Sequence, residues 1–357
     1  MITQRERSSG QFHATGATEA VPRPGDNEPM RITVLAGGIG AARFLRGLLA
    51  AAPEASITVI GNTADDIDLF GLRVCPDLDS VMYTLGGGSN EEQGWGRAGE
   101  SHRIGDELAA YGAGPSWFTL GDLDFATHIA RSQLLAEGKP LSEVTRVLCE
   151  RWQPGVRLLP MSDDRVETKV TITGHSERGR AAPDTETIHF QEWWVRLHAA
   201  VPAEAIVPVG AAEAVPAPGV LEAIAGADFV LIPPSNPVVS IGPILAVPGI
   251  RAAVEAKTAV GVSGIIGGAP VRGMADACLA AIGVETSAAA VAAHYGPALI
   301  DGWLVDDQDK AAVEQAAAAD PAFARIAVRA LPLYMRDVPS SAAIAQAAID
   351  LAVELAR

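Results

Sequence analysis

Short apolar runs alternate with amphipathic stretches along most of the chain. The runs at 31–36, 57–60 and 229–232 are rich in Ile and Val and have the length of buried strands. The stretches between such runs show the 3.6-residue periodicity of helices. Repeated strand–helix units favour a mainly parallel sheet with helices on both faces. We therefore predict an α/β, Rossmann-like, doubly wound fold.

A second pattern interrupts this alternation between about residues 89 and 200. Three amphipathic stretches at 102–111, 125–137 and 141–152 predict helices, and the runs at 166–173 and 187–190 predict a small antiparallel hairpin around a polar turn at 174–184. We interpret this region as a helical and hairpin insertion. From residue 205 the α/β alternation resumes with a very short strand at 206–207, which Pro208 ends.

Length allows one large α/β domain or two modest ones. A chain of 357 residues that is 48% hydrophobic can bury a large core. We expect an α/β domain over 31–357, preceded by a disordered extension over 1–30, which lacks the apolar segment of a secretory signal.

Charge and cysteine content narrow the class of partner. The formal net charge of −16 argues against a nucleic-acid binder, because such proteins need an excess of cations to displace counterions. No run of 18 uncharged apolar residues predicts a membrane span. Three widely spaced cysteines have no metal or redox spacing and suit a reducing compartment. We therefore expect a cytoplasmic protein, and further a homodimer, that acts on small molecules.

The candidate chemistry lies where the first two predicted strands end. The first strand leads into Gly37-Gly38-Ile39-Gly40, a loop whose bare amides favour phosphate contact. The alternative is a tight turn only, because the loop lacks a complete Rossmann or P-loop motif. The second strand leads into Asn62 and the pair Asp65–Asp66, and Asp77 and Asp79 follow. Acidic pairs usually cap helices, yet two pairs in successive loops favour a shared Mg²⁺ site, of which at most two carboxylates are direct ligands.

Polar turns follow later predicted strands as well. Ser235 and Asn236 come directly after the run at 229–232, where they would contact a nucleotide or form an ordinary Asx turn. A glycine loop after the strand at 259–264 leads to Arg272, a candidate anion partner.

Two further motifs have ambiguous roles. The segment Gly121-Asp122-Leu123-Asp124 opens a helix that carries His128, and its alternatives are a substrate role or an Asp122 cap with a packed histidine. Trp193 and Trp194, taken as strand residues, would stack a flat ring or, more typically, fill the core.

Several long motifs of this chain, taken together, resemble the 2-phospho-L-lactate transferase (CofD/FbiA) family. The motifs that contain tryptophan resemble its actinobacterial branch, the phosphoenolpyruvate transferases. The resemblance covers the chain from about residue 31 to the end and rests on these segments: 36–44 (AGGIGAARF), 75–79 (CPDLD), 82–88 (MYTLGGG), 151–155 (RWQPG), 159–164 (LPMSDD), 189–194 (HFQEWW), 234–242 (PSNPVVSIG) and 264–267 (GIIG).

This resemblance implies an enzyme of coenzyme F-420 biosynthesis. Such an enzyme transfers a phosphoenolpyruvyl or 2-phospho-L-lactyl group from a guanosine diphosphate donor to a hydroxyl of the deazaflavin FO, with Mg²⁺, and releases GMP. It further implies that the aspartates at 65, 66, 77 and 79 hold the metal and acceptor, with Asp65 and Asp79 as candidate catalytic residues. Leu123 stands where many members have arginine.

Two alternatives belong to other functional classes. CofD-like regulators of the YvcK type share the fold and are expected to bind nucleotide sugars without catalysis. An NAD-dependent dehydrogenase would use the loop at 37–40, but the acid that binds the ribose after the second strand is poorly placed, because Gly61 and Asn62 stand there.

Overall fold

The computed structural model describes residues 28–91, 95–173 and 185–356. The expected extension over 1–30 lies almost wholly outside these residues, and so does the turn at 174–184. The described strands are β1 (Arg31–Ala36), β2 (Ser56–Gly61), β3 (Ile67–Leu69), β4 (Leu72–Val74), β5 (Arg157–Pro160), β6 (Glu167–Ile172), β7 (Glu186–His189), β8 (Ala203–Val209), β9 (Phe229–Ile232), β10 (Ala259–Val262), β11 (Ile265–Ile266), β12 (Ala269–Pro270), β13 (Gly302–Val305) and β14 (Ala327–Ala330). The described α-helices are α1 (Gly38–Ala51), α2 (Pro76–Leu85), α3 (Arg103–Ala110), α4 (Asp122–Ala136), α5 (Leu141–Trp152), α6 (Val220–Gly226), α7 (Gly242–Ala246), α8 (Ile250–Glu255), α9 (Ala275–Ala281), α10 (Ala288–Tyr295), α11 (Lys310–Ala319) and α12 (Val338–Leu355).

A central sheet of seven strands confirms the predicted fold class. Its order is β14-β13-β10-β9-β1-β2-β5, and every neighbouring pair is parallel. The chain builds outward from β1 in one direction through β2 and β5, and in the other through β9, β10, β13 and β14. The order therefore reverses between β1 and β9, which makes the carboxyl ends of these strands the expected ligand crevice.

Two apolar layers enclose this sheet. Successive residues of β1 alternate between them, with Val34 in the layer of α1, α2, α5 and α12 and Leu35 in the layer of α6 to α10. Helix α12 is long and apolar enough to span a membrane by composition alone. Its apolar stripe instead packs on α1, where a Cβ added to Gly47 would lie 2.3 Å from the carbonyl carbon of Ser341. We conclude that α12 is a core helix whose close approach to α1 requires glycine at position 47.

The inserted region differs from the prediction in three respects. The predicted hairpin is a three-stranded antiparallel sheet in the order β7-β6-β8, so β8 does not resume the α/β alternation. Strand β8 has seven residues and continues through Pro208, which it tolerates because it is an edge strand. Trp193 and Trp194 lie on a π-helical turn, Glu192–Arg196, rather than on a strand. Trp193 is fully buried, in agreement with the core alternative.

Candidate active site

Loops after β1, β2 and β9 meet at the reversal of strand order. Ser235, in the loop after β9, accepts a hydrogen bond from the Gly37 amide at 3.3 Å and donates one to the Gly37 carbonyl at 2.9 Å. These bonds join two loops that lie 198 residues apart in sequence. The glycine loop after β1 and the turn after β9, both predicted to contact phosphate or nucleotide, therefore lie side by side.

Steric contact requires glycine at two positions of the loop after β1, Gly37 and Gly40, whereas Gly38 has a positive φ of 71° that favours glycine. Gly37 has an extended backbone, so any residue type suits its conformation. A Cβ there would lie 2.4 Å from Ser240 Cβ and 2.8 Å from Asp77 Oδ2. A Cβ at Gly40 would lie 2.2 Å from the Pro234 carbonyl oxygen. The loop thus provides close backbone approach at the start of α1, which begins at Gly38.

Asn62 ties the loop after β2 to two other elements. Its amide nitrogen donates to Asp77 Oδ2 at 2.9 Å and to the Val239 carbonyl at 3.1 Å, and its amide oxygen accepts from the Ala64 backbone at 3.0 Å. The side chain is fully buried. It therefore fixes the acidic loop against both the first turn of α2 and the segment after β9.

Asn236 takes the Asx role that the sequence left open. Its side-chain oxygen accepts from the backbone amides of Val238 at 2.9 Å and Val239 at 3.3 Å. It thereby begins a π-helical turn, Pro237–Ile241, that the sequence pattern did not indicate. This turn places Ser240 against Gly37, a site neighbour that sequence reasoning missed.

The four predicted aspartates are all buried and come together as two pairs. Burial raises the pKa of Asp65 well above its ordinary value, and the nearby charge of Asp77 raises it further. Burial also raises the pKa of Asp77 to about 6, although the bond from Asn62 opposes the rise. The second pair joins Asp66 to Asp79: burial raises the pKa of Asp66 to about 8, and the Asp79 charge adds to this while the Cys75 thiol and two arginines oppose it.

Several of these buried carboxylate oxygens have no hydrogen-bond partner among the described residues. They are Asp65 Oδ1, both oxygens of Asp66, and Asp79 Oδ2. Unpaired buried oxygens are costly unless a ligand completes them. Carboxylates are the donors that Mg²⁺ uses, and it needs only one or two of them. Within the part of the chain described here, no three His, Cys, Asp or Glu side chains form a ready-made metal site. The donor chemistry fits Mg²⁺, and the shared site remains a prediction.

A buried arginine that the sequence patterns did not single out lies against the second pair. Arg131, on α4, donates through Nη2 to Asp79 Oδ1 and through Nη1 to His128 Nδ1 at 3.0 Å. His128 is buried, and burial lowers its pKa to about 4. A histidine three residues before an arginine on one helix is the sequence signal that could have revealed the contact between His128 and Arg131, but not the contact with Asp79.

The segment 121–124 divides its acidic residues between two roles. Asp122 does not cap α4: its Oδ1 accepts from the Ile104 amide at 3.0 Å, so it stabilises the start of α3. Asp124 faces inward, and burial, followed by the charges of Glu100 and Asp79, raises its pKa to about 7. The hydroxyl of Tyr83 and Asp124 Oδ1 are likewise buried without a partner in the described residues.

Arg272 lies at the surface in the loop after β12. Burial of part of the side chain and the neighbouring charge of Arg43, on α1, lower the pKa of Arg272. Arg272 therefore lies near a second cation, Arg43, on the helix that the glycine loop begins. Such a pair suits an anionic ligand.

Comparisons with known proteins give relatives along most of the chain. Residues 32–331 match the family described as 2-phospho-L-lactate transferase CofD. The chain is 66% identical to a phosphoenolpyruvate transferase of Thermobifida fusca over 91% of this chain and 99% of that one. It is 65% identical to the protein of the same name from Streptomyces griseus, with the same coverage, and 50% identical to that of Mycolicibacterium smegmatis over 90% and 99%. Two crystal structures of protein BH3568 from Bacillus halodurans, one described as a member of the UPF0052 family, share the fold at 17% identity. Their TM-scores are 0.57 and 0.54, and each covers 90% of this chain and at least 99% of its own.

Proposed function

The chain belongs to the 2-phospho-L-lactate transferase CofD family, and we propose that it makes a coenzyme F-420 precursor. In the proposed reaction a phosphoenolpyruvyl group passes from a guanosine diphosphate donor to the hydroxyl of the deazaflavin FO. The hydroxyl oxygen forms a bond to the phosphorus that carries the enolpyruvyl group, the bond from that phosphorus to the GMP oxygen breaks, and GMP leaves. A 2-phospho-L-lactyl donor is the variant to be tested beside it.

One observation carries the proposal: Asn62 joins the acidic loop to Asp77 and to the segment after β9 at the reversal of strand order. Displacement at a diphosphate needs neutralised phosphate charge and a positioned alcohol more than a covalent nucleophile. A glycine loop and a carboxylate cluster in contact suit both needs.

The donor would lie along the loops after β1 and β9. The backbone at Gly37, Gly38 and Gly40 suits close approach of phosphate, and Ser235 and Asn236 stand beside it. Arg272 would add an anion contact at the rim.

The acidic loops would hold the metal and the acceptor. Asp65, Asp66, Asp77 and Asp79 carry the oxygens that would bind Mg²⁺, which when bound neutralises phosphate charge. Asp65 and Asp79 are the candidates for orienting the FO hydroxyl and accepting its proton. Both side chains are buried, which would limit the access of water during that proton transfer.

The reaction is tested by mixing the full chain with FO, Mg²⁺ and the guanylated donor. We expect GMP and a charged deazaflavin in equal amounts, and neither without Mg²⁺. FO binding, followed by deazaflavin fluorescence, separates the enzyme from a non-catalytic nucleotide-sugar-binding regulator, which should bind no FO. Folded protein that binds no FO and releases no GMP contradicts the proposal.

We also propose that the protein works as a cytoplasmic homodimer. Light scattering on the purified chain at micromolar concentration tests this directly, and a mass near 37.0 kDa, that of one chain, contradicts the dimer.

A further inference from the structure

Arg131 binds the buried carboxylate of Asp79. Its guanidinium is 2% exposed and contacts three elements. It donates to Asp79 Oδ1 on α2, to His128 Nδ1 on its own helix at 3.0 Å, and to the Arg73 carbonyl on β4 at 3.3 Å. The planar fork is therefore fixed in both position and rotation.

The partner histidine fixes the direction of these bonds. A guanidinium has no acceptor, so His128 Nδ1 must carry a lone pair toward Arg131. His128 is then the neutral tautomer with its proton on Nε2, and Nδ1 cannot take up a proton from substrate. Nδ1 lies 3.7 Å from Asp79 Oδ2, too far for a hydrogen bond.

The two oxygens of Asp79 consequently differ. Oδ1 is held by Arg131, whereas Oδ2 is buried without a hydrogen-bond partner in the described residues. Asp66, whose pKa the charge of Asp79 raises, also has both carboxylate oxygens buried without a hydrogen-bond partner in the described residues. We infer that Arg131 is a positioning residue: it orients Asp79 so that Oδ2 is presented, together with Asp66, to a divalent cation. This rests on the proposed function for its place in the reaction.

A double-mutant cycle between Arg131 and Asp79 tests the inference. Arg131→Lys keeps the positive charge but loses the planar guanidinium group that donates several hydrogen bonds at once. Asp79→Asn keeps the shape of the side chain but loses its negative charge. Mn²⁺ binding to the full-length protein is measured by calorimetry, and kcat and the KM for the donor are measured in parallel. We expect each single change to weaken Mn²⁺ binding about 10–100-fold and to lower kcat with little change in KM. The double variant should bind no more weakly than Asp79→Asn alone, because Arg131 acts through that side chain.

Matched controls separate positioning from folding. Arg146→Lys alters an exposed arginine paired with Glu150 on α5 and should change nothing. Circular dichroism of each variant should show the wild-type spectrum. Additive losses in the double variant, or Mn²⁺ binding by Arg131→Lys equal to wild type, overturn the inference. Because calorimetry needs no substrate, it decides even if the transfer reaction is absent, and wild-type protein that binds no Mn²⁺ also overturns it.

Discussion

The amide nitrogen of Asn62 lies 2.9 Å from Asp77 Oδ2, and this bond joins two acidic loops that lie 15 residues apart in sequence. The same nitrogen donates to the Val239 carbonyl at 3.1 Å. One buried amide thus sets the distance between the carboxylates and the segment after β9. The bond from Asn62 also favours the ionised form of Asp77, and so it opposes the rise in the pKa of Asp77 that burial causes.

Replacing that amide should move the pH dependence of the reaction. In Asn62→Ala the Asp77 carboxylate loses a donor, so its pKa rises further. Burial raises the pKa of Asp77 to about 6, and we expect this group to set the acidic limb of kcat/KM in the wild type. In the variant we expect that limb to lie roughly one pH unit higher. A pH–rate profile between pH 5 and 9 checks this, and a limb that stays in place contradicts the role given to Asn62.

The carboxylates should matter individually for turnover. We expect Asp65→Asn and Asp79→Asn to lower kcat by roughly 10²–10³-fold, because each removes charge from the site where phosphate charge must be neutralised. Asp68→Asn is the control, since Asp68 is exposed in the same segment and pairs with Arg73. Steady-state rates with saturating Mg²⁺ decide, and near-wild-type rates in both variants would exclude a carboxylate site.

The protein without divalent cation should lose stability as the pH rises. Burial raises the pKa of Asp66 to about 8 and that of Asp124 to about 7, whereas both ionise near 4 in the unfolded chain. Between these limits the folded state holds more protons than the unfolded state, so the free energy of unfolding falls from about pH 4 to about pH 8 and then levels.

We therefore expect the melting temperature in EDTA to fall by at least about 3 °C between pH 5 and 8. Asp66→Asn should flatten this slope and Asp68→Asn should not. A melting temperature that does not fall over the same interval would contradict the raised pKa values of these carboxylates.

The glycine loop offers a purely steric test. Gly37→Ala introduces a Cβ 2.4 Å from Ser240 Cβ, with no backbone strain from φ. We expect GDP binding, measured by calorimetry, to weaken at least about tenfold, because the added methyl group pushes the loop after β1 away from the segment after β9. Gly226→Ala is the matched control, because nothing lies within 4 Å of the added Cβ. Equal GDP affinity in the two variants would remove this loop from the donor site.

Much of the framework follows from local pattern. Strand β9 and helix α5 match their predicted bounds, because continuous apolar runs and helical periodicity are decided by near neighbours. Strand β8 was predicted too short, since Pro208 ends a central strand but not an edge strand, and edge position is set by topology.

Part of the site was predictable, because local pattern also indicates where a strand ends and a loop begins. Asp65 and Asp77 follow strand or turn signals, so their loops could be placed at one edge of the sheet. Arg131 was missed because its contact with Asp79 joins residues 52 positions apart on two helices. Such a contact depends on how α4 packs on α2, which no periodicity encodes. The Asx role of Asn236 was an open alternative that only the neighbouring amides could decide.

Transfer of a phosphoenolpyruvyl group to FO is tested most directly by mass spectrometry of the product. The enolpyruvyl and lactyl guanosine diphosphates compete for the enzyme in the presence of FO and Mg²⁺. Apolar contacts distinguish such similar groups by only about 1–3 kcal/mol, so competition at equal concentration is needed. We predict mainly the dehydro product, dehydro-F-420-0, with an equal amount of GMP. A product two hydrogens heavier would contradict the choice of donor, and the absence of any phosphorylated deazaflavin would contradict the reaction itself.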